Sequence, residues 1–178
     1  MRPQLNISIL LLGLFLMASC NGLTHFEAKQ LLDKAGIRIQ STTSCSNRAN
    51  KLCTSLDGVR QETIDFLINF RKTTPRCRII VSGGTEVGHG DQDGVDTHEG
   101  GYKLDLKLGW CINRFIKIGA KTDENPNFRF VENVEQTYPS NKKKYNAPLY
   151  RHKSGAYFLK QYNQWDVLYP QNPVPNWE

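Results

Sequence analysis

Tyr102-Lys103-Leu104-Asp105-Leu106-Lys107-Leu108 alternates apolar and charged side chains with period two, the pattern of a strand with one face turned to a core. Tyr102, Leu104, Leu106 and Leu108 fall on one face; Lys103, Asp105 and Lys107 fall on the other. Trp110 to Ile118 follows as a helix that covers the sheet. Upstream, Cys77 to Val81 reads as a compact strand stopped by Gly83-Gly84. Before it, Val59, Thr63, Phe66, Leu67 and Phe70 recur at helical spacing, with Thr54, Ser55 or Asp57 as N-cap candidates and Pro75 beyond the end. A first helix is predicted over Phe26 to Ala35, ended by Gly36, and a short strand at Ile37-Arg38-Ile39. Phe128-Arg129-Phe130-Val131, Tyr157-Phe158-Leu159 and Trp165-Asp166-Val167-Leu168 read as further strands. Helices and strands mix without regular alternation. The fold class is therefore α+β, a mainly antiparallel sheet with helices packed on one side.

The chain begins Met1-Arg2-Pro3, continues with an apolar run from Ile7 to Met17, and then turns to the small residues Ala18-Ser19-Cys20. This is the layout of a secretory signal, and the run, about eleven residues, is shorter than the roughly twenty that span a bilayer. Residues 1–20 are expected to be the signal segment and 21–178 one domain, long enough for a single core. An extracellular location follows, with no stable membrane span. Leu16-Met17-Ala18-Ser19-Cys20 also resembles a lipobox, so a bacterial source implies a lipid anchor through Cys20.

Beyond Cys20, the cysteines are Cys45, Cys53, Cys77 and Cys111, an even number in an exported chain. Three pairings of four cysteines exist. Cys45 and Cys53 close a short polar loop, while Cys77 precedes a strand and Cys111 lies in a helix, which favours Cys45 with Cys53 and Cys77 with Cys111. A structural zinc cluster is disfavoured because the chain has no Cys-x-x-Cys pair. The net charge of +6 comes from scattered basic residues. Only Lys142-Lys143-Lys144 forms a run, read as a solvated loop, so nucleic acid is excluded as a partner and a monomer is expected.

Gly83 to Gly101 lacks a hydrophobic period and is read as a long functional loop. With the following strand it gathers the metal-capable side chains His89, Asp91, Asp93, Asp96, His98, Glu99 and Asp105. A histidine at the mouth of a loop, followed by an aspartate on a strand, lets imidazole and carboxylate converge on one ion. Composition alone equally fits a solvated acidic loop or loose calcium binding.

Val81-Ser82-Gly83-Gly84-Thr85-Glu86-Val87-Gly88-His89, then Thr97-His98-Glu99-Gly100-Gly101-Tyr102-Lys103-Leu104-Asp105-Leu106, resembles the core of the zinc D-alanyl-D-alanine carboxypeptidase family and its small secreted relatives of hedgehog-type peptidase fold. The resemblance extends upstream through Cys53-Thr54-Ser55-Leu56-Asp57-Gly58 and downstream to Asn163-Gln164-Trp165-Asp166-Val167. It implies a zinc peptidase acting on cell-wall stem peptides, with His98 and Asp105 as the first two ligands. Zinc in such a site polarises the scissile carbonyl and activates water, and a glutamate takes the proton.

The chain departs from that pattern near its C-terminus. Gln161 stands in the place of the base and Gln164 in that of the third ligand. A glutamine amide is a weak zinc donor and accepts no proton near neutral pH, so Gln164 is at best a weak ligand and Gln161 is a lost base. Glu99 as a substitute base, and His89 or His152 as a substitute ligand, are the compensations weighed. Glu86, His89, Trp165 and Asp166 are placed along the cleft, although Trp165 equally suits the core. The resulting expectation is an exported carboxypeptidase-like protein that binds a peptide or peptidoglycan stem peptide with impaired catalysis. Its alternatives are an active D,D-peptidase or amidase with an altered ligand set, and an extracellular signalling or toxin-like protein on the same fold.

Overall fold

The computed structural model describes residues 22–88, 96–120 and 127–175. Helix α1 (His25–Lys34) is opened by a capping box: Thr24 Oγ1 accepts from the Glu27 N–H at 3.3 Å, and the Glu27 carboxylate accepts from the Thr24 N–H at 2.9 Å. Strand β1 (Arg38–Ile39) leads to helix α2 (Gln61–Thr73), then to β2 (Ile80–Gly83), β3 (Lys103–Lys107) and helix α3 (Trp110–Gly119). Strands β4 (Phe128–Thr137), β5 (Lys144–His152), β6 (Tyr157–Lys160) and β7 (Gln164–Leu168) complete the chain.

The seven described strands form one sheet in the order β1-β2-β3-β7-β6-β5-β4. Only β1 and β2 run parallel; every other neighbouring pair is antiparallel. The period of two in the sequence is realised. Leu104 and Leu106 of β3, Phe158 of β6, and Trp165 and Val167 of β7 are buried together with Leu32, Ile64, Leu67, Phe70, Ile112 and Ile116 of the helices. The helices therefore cover one face. The other carries Lys103, Asp105 and Lys107 beside Gln164 and Asp166, joined by the register Asp105↔Asp166 and Lys107↔Gln164.

Three details differ from the sequence reading, the first being that the strand expected at Cys77 to Val81 is Ile80–Gly83, so Gly83 lies within it rather than stopping it. Helix α2 opens at Gln61 with Arg60 in the cap position and no side-chain cap, because the candidate caps serve the preceding loop. Thr54 Oγ1 donates to the carbonyls of Gln40 and Ser82 at 2.9 and 3.1 Å, and Ser55 Oγ accepts from the Asp57 N–H at 3.2 Å. The strand expected at Phe128 to Val131 runs on to Thr137 and pairs with β5, which the sequence reading lacked. Glu132, Asn133 and Glu135 are exposed, so much of this hairpin has no buried face to impose alternation. The lysine run lies at its turn and the start of β5, where Lys144 meets Glu135 at 2.8 Å.

Both favoured disulfides are present: Cys45–Cys53, with Cα atoms 5.0 Å apart, and Cys77–Cys111, at 5.3 Å. The second ties the lead-in to β2 to helix α3. Its sequence separation of 34 means that reduction frees a long loop in the unfolded chain. Loop-closure entropy puts its contribution at about 4 kcal/mol, against about 2.5 kcal/mol for the short loop. Cys77→Ala/Cys111→Ala should therefore lower the urea-unfolding free energy more than Cys45→Ala/Cys53→Ala. Among the described residues no helix is long and apolar enough to cross a membrane. Two disulfides and this absence are compatible with export.

Candidate metal centre

The register of β3 against β7 sets Asp105 directly opposite Asp166 on the face away from the helices. His98 arrives from the turn that precedes β3. Its Nε2 lies 3.6 Å from Asp105 Oδ1 and 4.0 Å from Asp166 Oδ1, and a donor atom from each of the three residues falls within 4.8 Å of the others. His98 and Asp105 are buried and Asp166 nearly so.

The loop after β2 orients the imidazole. His98 Nδ1 is 2.8 Å from the Gly84 carbonyl oxygen, which can only accept. In the neutral ring Nδ1 therefore carries the proton and Nε2 presents its lone pair toward the carboxylates, the arrangement that metal-bound histidines use. Gly84 is held in turn by Glu86, whose buried carboxylate accepts from the Gly84 N–H at 3.0 Å and the Ser55 N–H at 2.8 Å. Gly83 lies opposite Asp105 at a register irregularity of β2, and a Cβ there would sit 2.3 Å from Asp105 Oδ2. The absence of a side chain at residue 83 makes room for the carboxylate.

A tetrahedral zinc with bonds of about 2.0–2.1 Å holds its ligand atoms about 3.3 Å apart. The 3.6 and 4.0 Å separations from His98 Nε2 come close to that spacing, and one imidazole with two carboxylates is an acceptable donor set for zinc. Two carboxylates and a neutral imidazole also balance a divalent charge. Lys103, on the same strand face, has its Nζ 3.6 Å from Asp166 Oδ2. The Asp166 carboxylate thus spans from the centre to an ammonium group.

The other sequence candidates separate clearly. Gln164 begins β7 opposite Lys107, two residues from Asp166, and its Oε1 accepts from Asn163 Nδ2 at 3.4 Å. Gln161 lies in the turn between β6 and β7. Trp165 is a core residue and not a cleft wall: neighbouring positions on a strand face opposite ways, so it is fully buried on the helix side, where its Nε1 donates to Asn113 Oδ1 at 2.8 Å. Glu86 is a loop clamp. Glu99 is exposed, and Asp96 accepts from the Gln171 N–H at 2.9 Å. His89, Asp91 and Asp93 lie outside the described residues.

His152 does not complete the centre. It lies on the helix side among Phe66, Phe70, Phe128 and Phe158, with the Phe128 ring 4.9 Å away. Burial lowers its pKa to about 4. Since the unfolded chain protonates near 6.5 and the folded one only near 4, the unfolded state binds the extra proton first. Stability is full above pH 6.5 and falls as pH drops from there toward 4, by about 3 kcal/mol in all. Urea midpoints across this window should show that slope, and His152→Leu should remove its share of it.

Three features of the centre escaped the sequence reading: the Gly84 carbonyl that fixes the imidazole, the space left by Gly83, and the place of Asp166 opposite Asp105. The last was accessible in principle, since Asp105 and Asp166 both occupy polar positions of alternating strands. No family model matches the chain, and neither does any curated protein or solved structure.

Proposed function

We propose that the protein is an exported zinc-binding module on a carboxypeptidase-like scaffold, which binds a peptide such as a cell-wall stem peptide and turns it over poorly or not at all. The observation that carries the reading is the convergence of His98 Nε2, Asp105 Oδ1 and Asp166 Oδ1, with the imidazole held by the Gly84 carbonyl. Zinc, when bound, supplies a Lewis acid for a substrate carbonyl. The chain's own residues hold that position, and Lys103 offers positive charge beside it. Gln161 can hydrogen-bond a peptide but cannot remove a proton from water, a loss worth about a hundredfold to ten-thousandfold in rate.

A working peptidase with an altered ligand set is the second reading. It is favoured by Asp166, whose carboxylate can accept a proton where Gln161 cannot. Purified protein with added zinc, incubated with stem peptides ending in D-alanyl-D-alanine, separates the two. The proposed module binds the peptide in a zinc-dependent manner without measurable release of D-alanine. Zinc-dependent turnover abolished by His98→Ala would establish the second reading instead, and indifference to both peptide and zinc would leave neither standing.

A further inference from the structure

The tips of two hairpins meet at one end of the sheet and form a second site. Tyr138 and Tyr145 flank the β4–β5 turn with ring centroids 4.4 Å apart, and Tyr162, from the β6–β7 turn, stands edge-on to both at 5.6 and 6.5 Å. Together with Asn146, Pro148, Lys160 and Gln161 they line a hollow of about 410 Å³, within the size range of small-ligand sites. The Tyr162 N–H donates to the Tyr145 hydroxyl at 3.2 Å, which couples the two hairpins and sets the corner in advance of any ligand. Tyr162 remains 47 % exposed, so the aromatic surface is presented outward rather than used up in packing.

The chemistry of the lining selects a ligand. Aromatic faces offer flat apolar surface with a polar hydroxyl at the rim, which suits a molecule with a broad C–H face. The amides of Asn146 and Gln161 each donate and accept, which suits hydroxyl groups that do the same. No lining residue is acidic and Lys160 adds an ammonium donor, which disfavours a cationic ligand and suits one rich in acceptor oxygens. From these features we infer that the tyrosine corner is a saccharide subsite, taking a pyranose chain with ring faces on the tyrosines and hydroxyls on the polar side chains that share the lining.

Its place on the sheet gives the chain a direction. Asp166 pairs with Leu159, and Leu159 with Leu149 on β5. Tyr145 lies four residues further along β5, an even number, and so shares the face of Asp166, whereas Asn146, Pro148 and Lys160 alternate to the helix side, so the hollow draws on both faces at the hairpin tips. Two strand spacings and four residues put the corner roughly 16 Å from the metal centre. The saccharide subsite rests on its own lining residues and does not depend on the metal.

The test is a calorimetric and NMR titration of the full mature chain, without added metal, with chitotetraose, cellotetraose and a proline-rich decapeptide. At least one tetrasaccharide should bind. Tyr162→Ala and Tyr138→Ala should each weaken it about tenfold, while Tyr162→Phe, which keeps the ring, and His98→Ala, which strikes only the metal centre, should stay near the parent value. Should Tyr138→Ala not fold, Tyr162→Ala at its exposed position still decides the matter. Failure of both saccharides to bind, binding unmoved by the alanine variants, or binding of the peptide alone would overturn the inference.

Discussion

Asp166→Asn is expected to weaken zinc binding by about a hundredfold or more, and Gln164→Ala to leave it within about threefold. The two residues are separated by one position on β7, yet the register gives them different partners: Asp166 faces Asp105, and Gln164 faces Lys107. Replacing the Asp166 carboxylate by an amide removes a negative charge whose Oδ1 lies 4.0 Å from His98 Nε2 and leaves a poor zinc donor. Asp105→Asn should cost at least as much, because Asp105 is 1 % exposed and its charge acts with little solvent screening. Competition titrations with a zinc-sensitive dye measure all three variants on one scale. Equal losses for Gln164→Ala and Asp166→Asn would mean that the third donor is shared or lies elsewhere.

Gly84→Ala is expected to cost at least about 3 kcal/mol of stability and to abolish high-affinity zinc binding. A Cβ at residue 84 would lie 1.9 Å from the Ser55 carbonyl oxygen. That oxygen belongs to backbone already fixed on both sides: it accepts from the Thr85 N–H at 2.7 Å, and the Ser55 N–H is held by Glu86. Relief therefore moves the Gly84 peptide, whose carbonyl orients His98. Gly109→Ala is the matched control. Its Cβ would meet only Ile112, at 3.7 Å, and the loss should stay within about 1 kcal/mol. Urea unfolding and zinc titration of both variants separate the local clash from the general effect of adding a methyl group.

The fold was legible wherever one side of a segment is buried. Strand β3 announced itself because Leu104 and Leu106 pack under the helices while Lys103 and Lys107 do not, and α2 because Phe66, Leu67 and Phe70 line one stripe. On β4 the hairpin was legible only at Phe128, where that strand enters the core; further out its side chains are mostly exposed, while β5 keeps Ala147, Tyr150 and His152 buried without a run of alternating apolar residues to announce it. The pairing of the cysteines followed from local loops, and the structure has the same bridges.

The candidate centre was legible in part. His98 and Asp105 stand close together in sequence, and their types suffice to suggest an ion. Asp166 lies 61 positions beyond Asp105, and only the pairing of β3 with β7 brings the two together. The resemblance to the carboxypeptidase family put Gln164 in the third-ligand place, whereas strand register gives a carboxylate the position opposite Asp105. The Gly84 carbonyl has no residue-type signature. A backbone acceptor becomes visible only when the loop that carries it is seen folded against the Glu86 carboxylate.

Whether zinc binds at His98, Asp105 and Asp166 is tested most directly by crystallography. Crystals of the protein grown with equimolar zinc, measured on both sides of the zinc absorption edge, locate the ion by its anomalous signal. One peak bonded to His98 Nε2 and to carboxylate oxygens of Asp105 and Asp166, each at about 2.0–2.2 Å, is the predicted result. A peak on other residues, or none among these three, would contradict it.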